Sequence, residues 1–464
     1  MDAQLLLPPV SPVPPNPFLS LTIELKQIIF SALPDTRSLI SLILTCSSFY
    51  HTFLDAESLI IKSILRSQVG LDLIFDATIV FKSTTLKAYS NDAAIELLKS
   101  YTKQDFACLS QIWKLRDALA VGGLHDNIEF FSRDFASLAL SIDPVTGLDE
   151  ASPSPLSLLE STRIKRTFYR YELFCNIFRK REDIQLGKAA SESPQSIFFS
   201  ICAPWENEQL ACVRDYLFKR LSLPFNEVAE HDVEWGQLEM NYLDDQDELY
   251  DYWKEHYLSL GLTYLRQLVT TPAFDDRCRL LKEHKRGPAC SLFDALEAQG
   301  YGNGLSMLEN YTEEDEHVHI TAQLAIDGDK GPEEAWRWAY AGNTNAAWYN
   351  ISEQGSLRKR GYVMWDSARL AQWGLLTYEW DELSRDSFNS EDHRRRMDEM
   401  RGSFKARHEI WCRGGRGWWS AKDESRVVWP PPAPPERAKT MEPKRCWGNR
   451  DVWATDMETW RENL

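Results

Sequence analysis

Positive charge is in short supply: 52 Lys and Arg face 69 Asp and Glu, a net charge of −17 over 464 residues. A general nucleic-acid binder needs a surplus of basic side chains to neutralise phosphates, so the balance argues against that class. Long apolar runs are missing as well. The longest, from Leu39 to Cys46 with Ser41 and Thr45 inside it, falls far short of the ~20 residues that cross a bilayer, which predicts no membrane-spanning segment. Near the start, Asp2 stands where a secretory signal carries positive charge, and Pro8, Pro9, Pro12, Pro14, Pro15 and Pro17 interrupt any apolar core. The expectation is no signal and a cytoplasmic or nuclear protein. The nine cysteines are odd in number and form no Cys-x-x-Cys pair, which points to reduced, packed thiols rather than a disulfide scaffold.

Common catalytic signatures are absent too. There is no Gly-x-x-x-x-Gly-Lys-Ser/Thr, no Gly-x-Ser-x-Gly and no His-Glu-x-x-His, which removes the usual NTPase, hydrolase and metalloprotease motifs. His317-Val318-His319 offers two imidazoles but no third ligand, and reads as a surface turn. His408 and Cys412 share a helix face, with Cys446 a distant third donor, a spacing that chance supplies easily. Gly300, Gly302 and Gly304 follow a helical pattern instead of a strand and read as a flexible turn. No catalytic residue, metal or cofactor is expected.

Hydrophobic residues at 43% and aromatics at 12% are enough to build a sizeable core, and the length suits two or three domains. The expected architecture is mainly α, with a possible α+β C-terminal region and neither a propeller nor a leucine-rich repeat. Composition divides the chain into a proline-rich arm (1–17), a dense Leu/Ile module (18–66) and a helical connector (67–150). A predominantly helical domain (151–428) and a tail with a polyproline start (429–464) follow. Within the large domain, Ile164, Phe168, Tyr171, Phe174 and Phe178 recur at helical steps and are expected in the core. Eleven carboxylates against the single Lys254 crowd 227–255, and fifteen Lys and Arg against seven acids occupy 394–450. The acidic run predicts amphipathic helices with one solvated face, and the two stretches are candidates to dock on each other. Arg394 to Arg396 and the segment from Arg413 to Trp419 predict cation–π packing and ion pairs. Thirteen of the seventeen tryptophans fall in the last 135 residues, which marks the C-terminal third as the expected recognition region.

The module at 18–66 carries the strongest pattern. Leu25, Ile28, Ile29 and Leu33 fall on one helical stripe with Thr22 placed to cap it, and Pro34 ends the helix. Asp35 can cap a second helix with apolar positions Leu39, Leu42, Ile43 and Cys46. Ser47 or Ser48 can cap a third bearing Phe49, Tyr50 and Phe53. Three short helices bury little by themselves, so this apolar surface calls for a cover supplied by a partner or by the rest of the chain.

From Leu19 to Tyr50 the order Leu-x-Leu-x-x-Glu-Leu-x-x-Ile, then Leu-Pro-Asp, then Leu-x-x-Leu-x-x-x-Cys-x-x-Phe-Tyr resembles an F-box, the segment that docks on the Skp adaptor of Skp-cullin-F-box ubiquitin ligases. Thr22 stands where the family usually has proline, and Phe49-Tyr50 replaces the common basic-x-Trp. The run from Arg360 to Gly374 is similar to a segment of F-box proteins of filamentous fungi. The resemblance implies a non-catalytic substrate receptor. Leu19, Leu21, Leu25, Ile28, Leu33, Leu39, Leu42, Ile43, Cys46, Phe49 and Tyr50 would face a Skp-type adaptor, and through it a cullin, or hold the helices that do. The C-terminal region would bind a protein substrate. The alternatives are an F-box-like scaffold acting outside ubiquitin ligases and an enzyme of unrecognised class in 150–460.

Overall fold

A computed structural model describes residues 18–86, 91–102, 112–143, 145, 154–179, 193–237, 242, 252–283, 291–296, 327–340, 357–378 and 390–431. The fold is mainly α, as expected: the described strands are the two-residue pair β1 (Arg416–Gly417) and β2 (Val427–Val428), antiparallel to each other. No helix among the described residues is long and apolar enough to cross a membrane. The chain forms two compact units, Met1–Phe81 with Phe106–Asp126, and Lys82–Asp105 with Asn127–Leu464.

The first unit is built on α1 (Ile23–Ser31), α2 (Thr36–Ile43), α3 (Ser47–Leu54) and α4 (Glu57–Val69). It also takes most of α5 (Ile74–Thr84) and the first half of α7 (Leu115–Ala139). The compact unit therefore reaches beyond the 18–66 stretch marked by composition, and side-chain bonds show why. Gln68 on α4 accepts from the Thr36 amide (3.2 Å) and donates to the Gly122 carbonyl (3.3 Å) and to Asp126 (3.1 Å). Arg37 pairs with Asp126 at 2.8 Å. Glu57 binds Lys114 (2.7 Å) and the Leu115 amide (2.9 Å) at the start of α7. Burial alone would raise its carboxyl, but these bonds and the Lys114 charge hold it below the usual carboxylate range.

The second unit holds α6 (Asn91–Thr102), the rest of α7, α8 (Leu158–Phe178), α9 (Pro194–Ser200) and α10 (Pro204–His231). It continues through α11 (Tyr252–Leu258), α12 (Leu262–Thr270), α13 (Phe274–Glu283), α14 (Gly331–Tyr340), α15 (Ser367–Trp373) and α16 (Ser390–Cys412). Helix α10 is its axis and packs on α8, α11, α12, α13, α14 and α16. The predicted stripe Ile164, Phe168, Tyr171, Phe174 and Phe178 is buried throughout. Phe131, Phe135, Phe168 and Tyr216 meet at 5.4–6.5 Å between ring centroids.

Charge is buried here as well as grease. Arg358 forks onto Glu208 at 2.7 and 2.9 Å, and Arg214 reaches Asp215 (3.0 Å) and Glu255. Arg163 binds Asp327 (2.5 Å), Asp366 (3.0 Å) and the Met364 carbonyl, while Arg369 forks onto Glu160 at 2.7 Å. The run from Arg360 to Gly374 supplies part of this interior. Tyr362, Val363, Met364 and Trp365 are buried, and Gly361, at φ +59°, has Phe135 where a Cβ would point.

The acidic run departs from its expected form at two positions. Of its described carboxylates, Glu230 is exposed, but Asp232 and Glu255 are buried and are matched by Lys282 (2.6 Å) and Arg214. A cationic partner on another helix removes the need for water. Glu239, Asp244, Asp245, Asp247, Glu248 and Asp251 lie outside the described residues, as do His317, His319, Gly300, Gly302, Gly304 and Cys446. The basic helix α16 does pack on the acidic segment, against a 3₁₀ turn at Glu234–Gln237. It does so through backbone carbonyls: Arg407 donates to Asp232 O (3.2 Å) and Ser403 to Glu230 O (3.1 Å). Burial pushes the Arg407 guanidinium down to about 10 against the pull of nearby carboxylates. As predicted, arginines lie over rings, Arg413 over Trp429 (4.6 Å) and Arg426 over Trp418 (4.8 Å).

Removing one member of a buried pair strands the other. Arg358→Met is expected to cost ~3–5 kcal/mol in chemical denaturation at pH 7. Glu208, already raised by burial despite Arg358, would then favour its neutral form more strongly. A carboxyl raised in the folded state stabilises below its unfolded value and loses that contribution as pH rises, so the gap from wild type should narrow between pH 7 and pH 5.

Candidate functional site

The four-helix part of the first unit sorts its apolar side chains into two sets. The inner set comprises Phe30, Leu39, Ile43, Phe49 and Phe53 from α1 to α3, closed over by Ile60, Ile61, Ile64 and Leu65 of α4. Helix α1 packs on α3 and α4, and α2 packs on the same two. Phe49 is the hub, with Phe18 at 5.4 Å and Phe30 at 5.8 Å, both edge to face.

The outer set is unusual for its density. Of the large apolar side chains exposed among the described residues, Leu19, Ile23, Leu25, Ile28, Leu44, Tyr50, Leu54 and Leu59 all fall between 19 and 59. They account for eight of the seventeen such side chains in the described chain. Single exposed leucines need no explanation, but a concentration of this kind makes residues 19–59 the candidate site. Covering each half-exposed side chain is worth roughly 1 kcal/mol or more.

Local chemistry sets which side faces out. On α1, Lys26 and Phe30 lie four residues apart and point inward. Lys26 lays its stem along the core and donates to Leu19 O at 3.0 Å, with its ammonium 6.0 Å from the Phe49 ring centroid. That turns Leu25 (47% exposed) and Ile28 (64% exposed) to the opposite side. The Leu25-Ile28 stripe expected from spacing is therefore real, and it is the outer surface of the helix. On α3, Phe49 and Phe53 face in while Tyr50 and Leu54 face out.

The caps agree only in part with expectation. Asp35 caps α2 by accepting from the Ser38 amide at 2.7 Å. Thr22 holds the cap position of α1 without a side-chain capping bond. Glu24 there is held below the usual range by its own backbone N–H and by the Thr22 hydroxyl. Helix α3 begins one residue earlier than predicted, with Cys46 at the cap position in place of Ser47 or Ser48, because Cys46 is already extended and Ser47 helical.

The eleven residues predicted for contact thus divide three ways. Leu19, Leu25, Ile28 and Tyr50 are exposed; Leu21, Leu33, Leu42 and Cys46 are half-buried; Leu39, Ile43 and Phe49 are buried and hold the helices in place. Sequence reasoning missed Ile23, Leu44, Leu54 and Leu59, which are more open than several it named. An apolar residue left over after the inward positions of each helix are filled was the available signal. No group of three or more His, Cys, Asp or Glu able to hold a metal occurs among the described residues. No family model, curated protein or solved structure matches the chain.

The division predicts opposite mutational responses in the free protein. Phe49→Ala should cost ~3–5 kcal/mol, as core aromatics do, whereas Leu25→Ala and Ile28→Ala should stay within ~0.5 kcal/mol of wild type. Urea denaturation of the three variants, monitored at the first unit's transition, checks this.

Proposed function

We propose that this chain is the substrate-recognition adaptor of a Skp-cullin-F-box type ubiquitin ligase. Residues 19–59 dock on the Skp-type adaptor, which connects the chain to a cullin, and the C-terminal region holds a protein substrate. The observation that carries this reading is the dense outer set of apolar side chains on the F-box-like helices, standing over a core that is complete without them. The chemistry of ubiquitin transfer then belongs to other subunits. This chain contributes proximity, raising the local concentration of substrate at the charged enzyme. On the substrate side, described aromatic surface is sparse in the C-terminal third: Trp336, Trp365 and Trp419 are buried, and Trp429 and Tyr378 are the large exposed rings.

Co-purification with a Skp-type adaptor tests the assignment. Wild-type protein should retain the adaptor. Leu25→Asp/Ile28→Asp should lose it, since a carboxylate forced unpaired into an apolar interface costs several kcal/mol, while folding is preserved because both positions are already in water. Retention of the adaptor at undiminished affinity by this variant would remove the assignment.

A further inference from the structure

The spacing of His408 and Cys412 acquires chemistry in the folded chain. Four residues apart on α16, they place the Cys412 sulfur 3.5 Å from His408 Nε2. The other ring nitrogen, Nδ1, lies 2.8 Å from the Gly236 carbonyl. A carbonyl only accepts, so Nδ1 carries the proton and the lone pair of Nε2 is turned to the thiol. The approach is built in at Gly236, where a Cβ would fall 2.7 Å from the Arg407 carbonyl carbon. The ring also has Phe404 and Trp411 as tilted neighbours, at 5.8 and 6.0 Å between centroids.

We propose that Cys412 is a reactive thiol activated by His408, a modification site for small soft electrophiles of the hydroperoxide class. Proton transfer from Sγ to Nε2 creates a thiolate and an imidazolium side by side. Both charges would fall in the last turn of α16, which favours the cation and disfavours the anion, so the helix dipole largely cancels across the pair. With hydrogen peroxide, the sulfur attacks one oxygen, the O–O bond breaks, and the departing hydroxide takes the proton from His408 to leave as water. The sulfur becomes a sulfenic acid, oxidised by two electrons as the peroxide is reduced.

The other described cysteines are set differently. Cys175, Cys202, Cys212 and Cys278 are buried, and burial pushes the Cys175, Cys212 and Cys278 thiols up. Cys46 is half-buried like Cys412 and serves as an internal reference. The charged groups on the packed elements are already engaged: Glu234 with Lys282 (2.8 Å), Arg407 with Asp232 O, Arg413 over Trp429, and Arg416 over Trp411 (5.9 Å). Glu409 is exposed.

Limited alkylation of the full chain with iodoacetamide, read by peptide mass mapping from pH 5.5 to 9, tests the proposal. Cys412 should label about tenfold faster than Cys46 at pH 7 and keep reacting at lower pH. His408→Asn retains a donor for Gly236 O but lacks the facing lone pair, and should slow Cys412 about tenfold while leaving Cys46 unchanged. Treatment with hydrogen peroxide and dimedone should place the adduct on Cys412. Equal rates at Cys412 and Cys46, or no effect of His408→Asn, would overturn the proposal. If labelling at Cys175 and Cys212 shows that the variant has loosened, the wild-type pH profiles of Cys412 and Cys46 decide alone: coincident profiles refute it, and a displaced Cys412 profile supports it.

Discussion

Helix α1 has more apolar side chains than one buried face can accept. Phe30 wins the interior because it meets Phe49 edge to face, and Lys26 follows it inward because its ammonium finds Leu19 O at the rim. Turning the helix to bury Leu25 and Ile28 would expose the phenyl ring and break that bond. The result is a small core closed by α4 and a set of aliphatic side chains left facing water. The arrangement of α3, with Phe49 and Phe53 inside and Tyr50 and Leu54 outside, follows the same competition.

The second unit solves a different problem. Its interior holds paired charges, among them Arg358 with Glu208 and Arg214 with Asp215 and Glu255. Such pairs return little net stability against well-packed apolar residues, but each has few acceptable partners. Ion pairs join α8, α10, α11 and the segment at 357–369. Part of the segment from Arg360 to Gly374 belongs to this interior, and there its pattern reflects packing requirements: a left-handed glycine against Phe135, four consecutive buried residues, and a carboxylate at Asp366 engaged by Arg163 and Ser157.

Much of this was legible in the residues. Mainly helical structure, the buried stripe of α8, the helix starts at Thr22 and Asp35, and the contact between the acidic and basic stretches all followed from periodicity, capping chemistry and charge. What was not legible depended on partners distant in sequence. Spacing grouped Leu25 with Ile28 but held no indication that the shared side faced outward, because that is decided by Phe49, some twenty residues on. Asp232 and Glu255 read as solvated until Lys282 and Arg214 were seen beside them. The reach of the first unit into α7 rests on Gln68, Arg37 and Glu57, polar residues whose sequence context says nothing of Gly122, Asp126 or Lys114.

The outer side chains of residues 19–59 are the contact surface we propose for a Skp-type adaptor. Methyl-detected NMR of the full chain, titrated with that adaptor, addresses it side chain by side chain. The account predicts that the Leu25, Ile28, Leu44 and Leu59 methyl signals shift or broaden while those of Leu39, Ile43 and Ile64 hold their positions. Unmoved outer methyls at saturating adaptor, or shifts confined to the second unit, would contradict it.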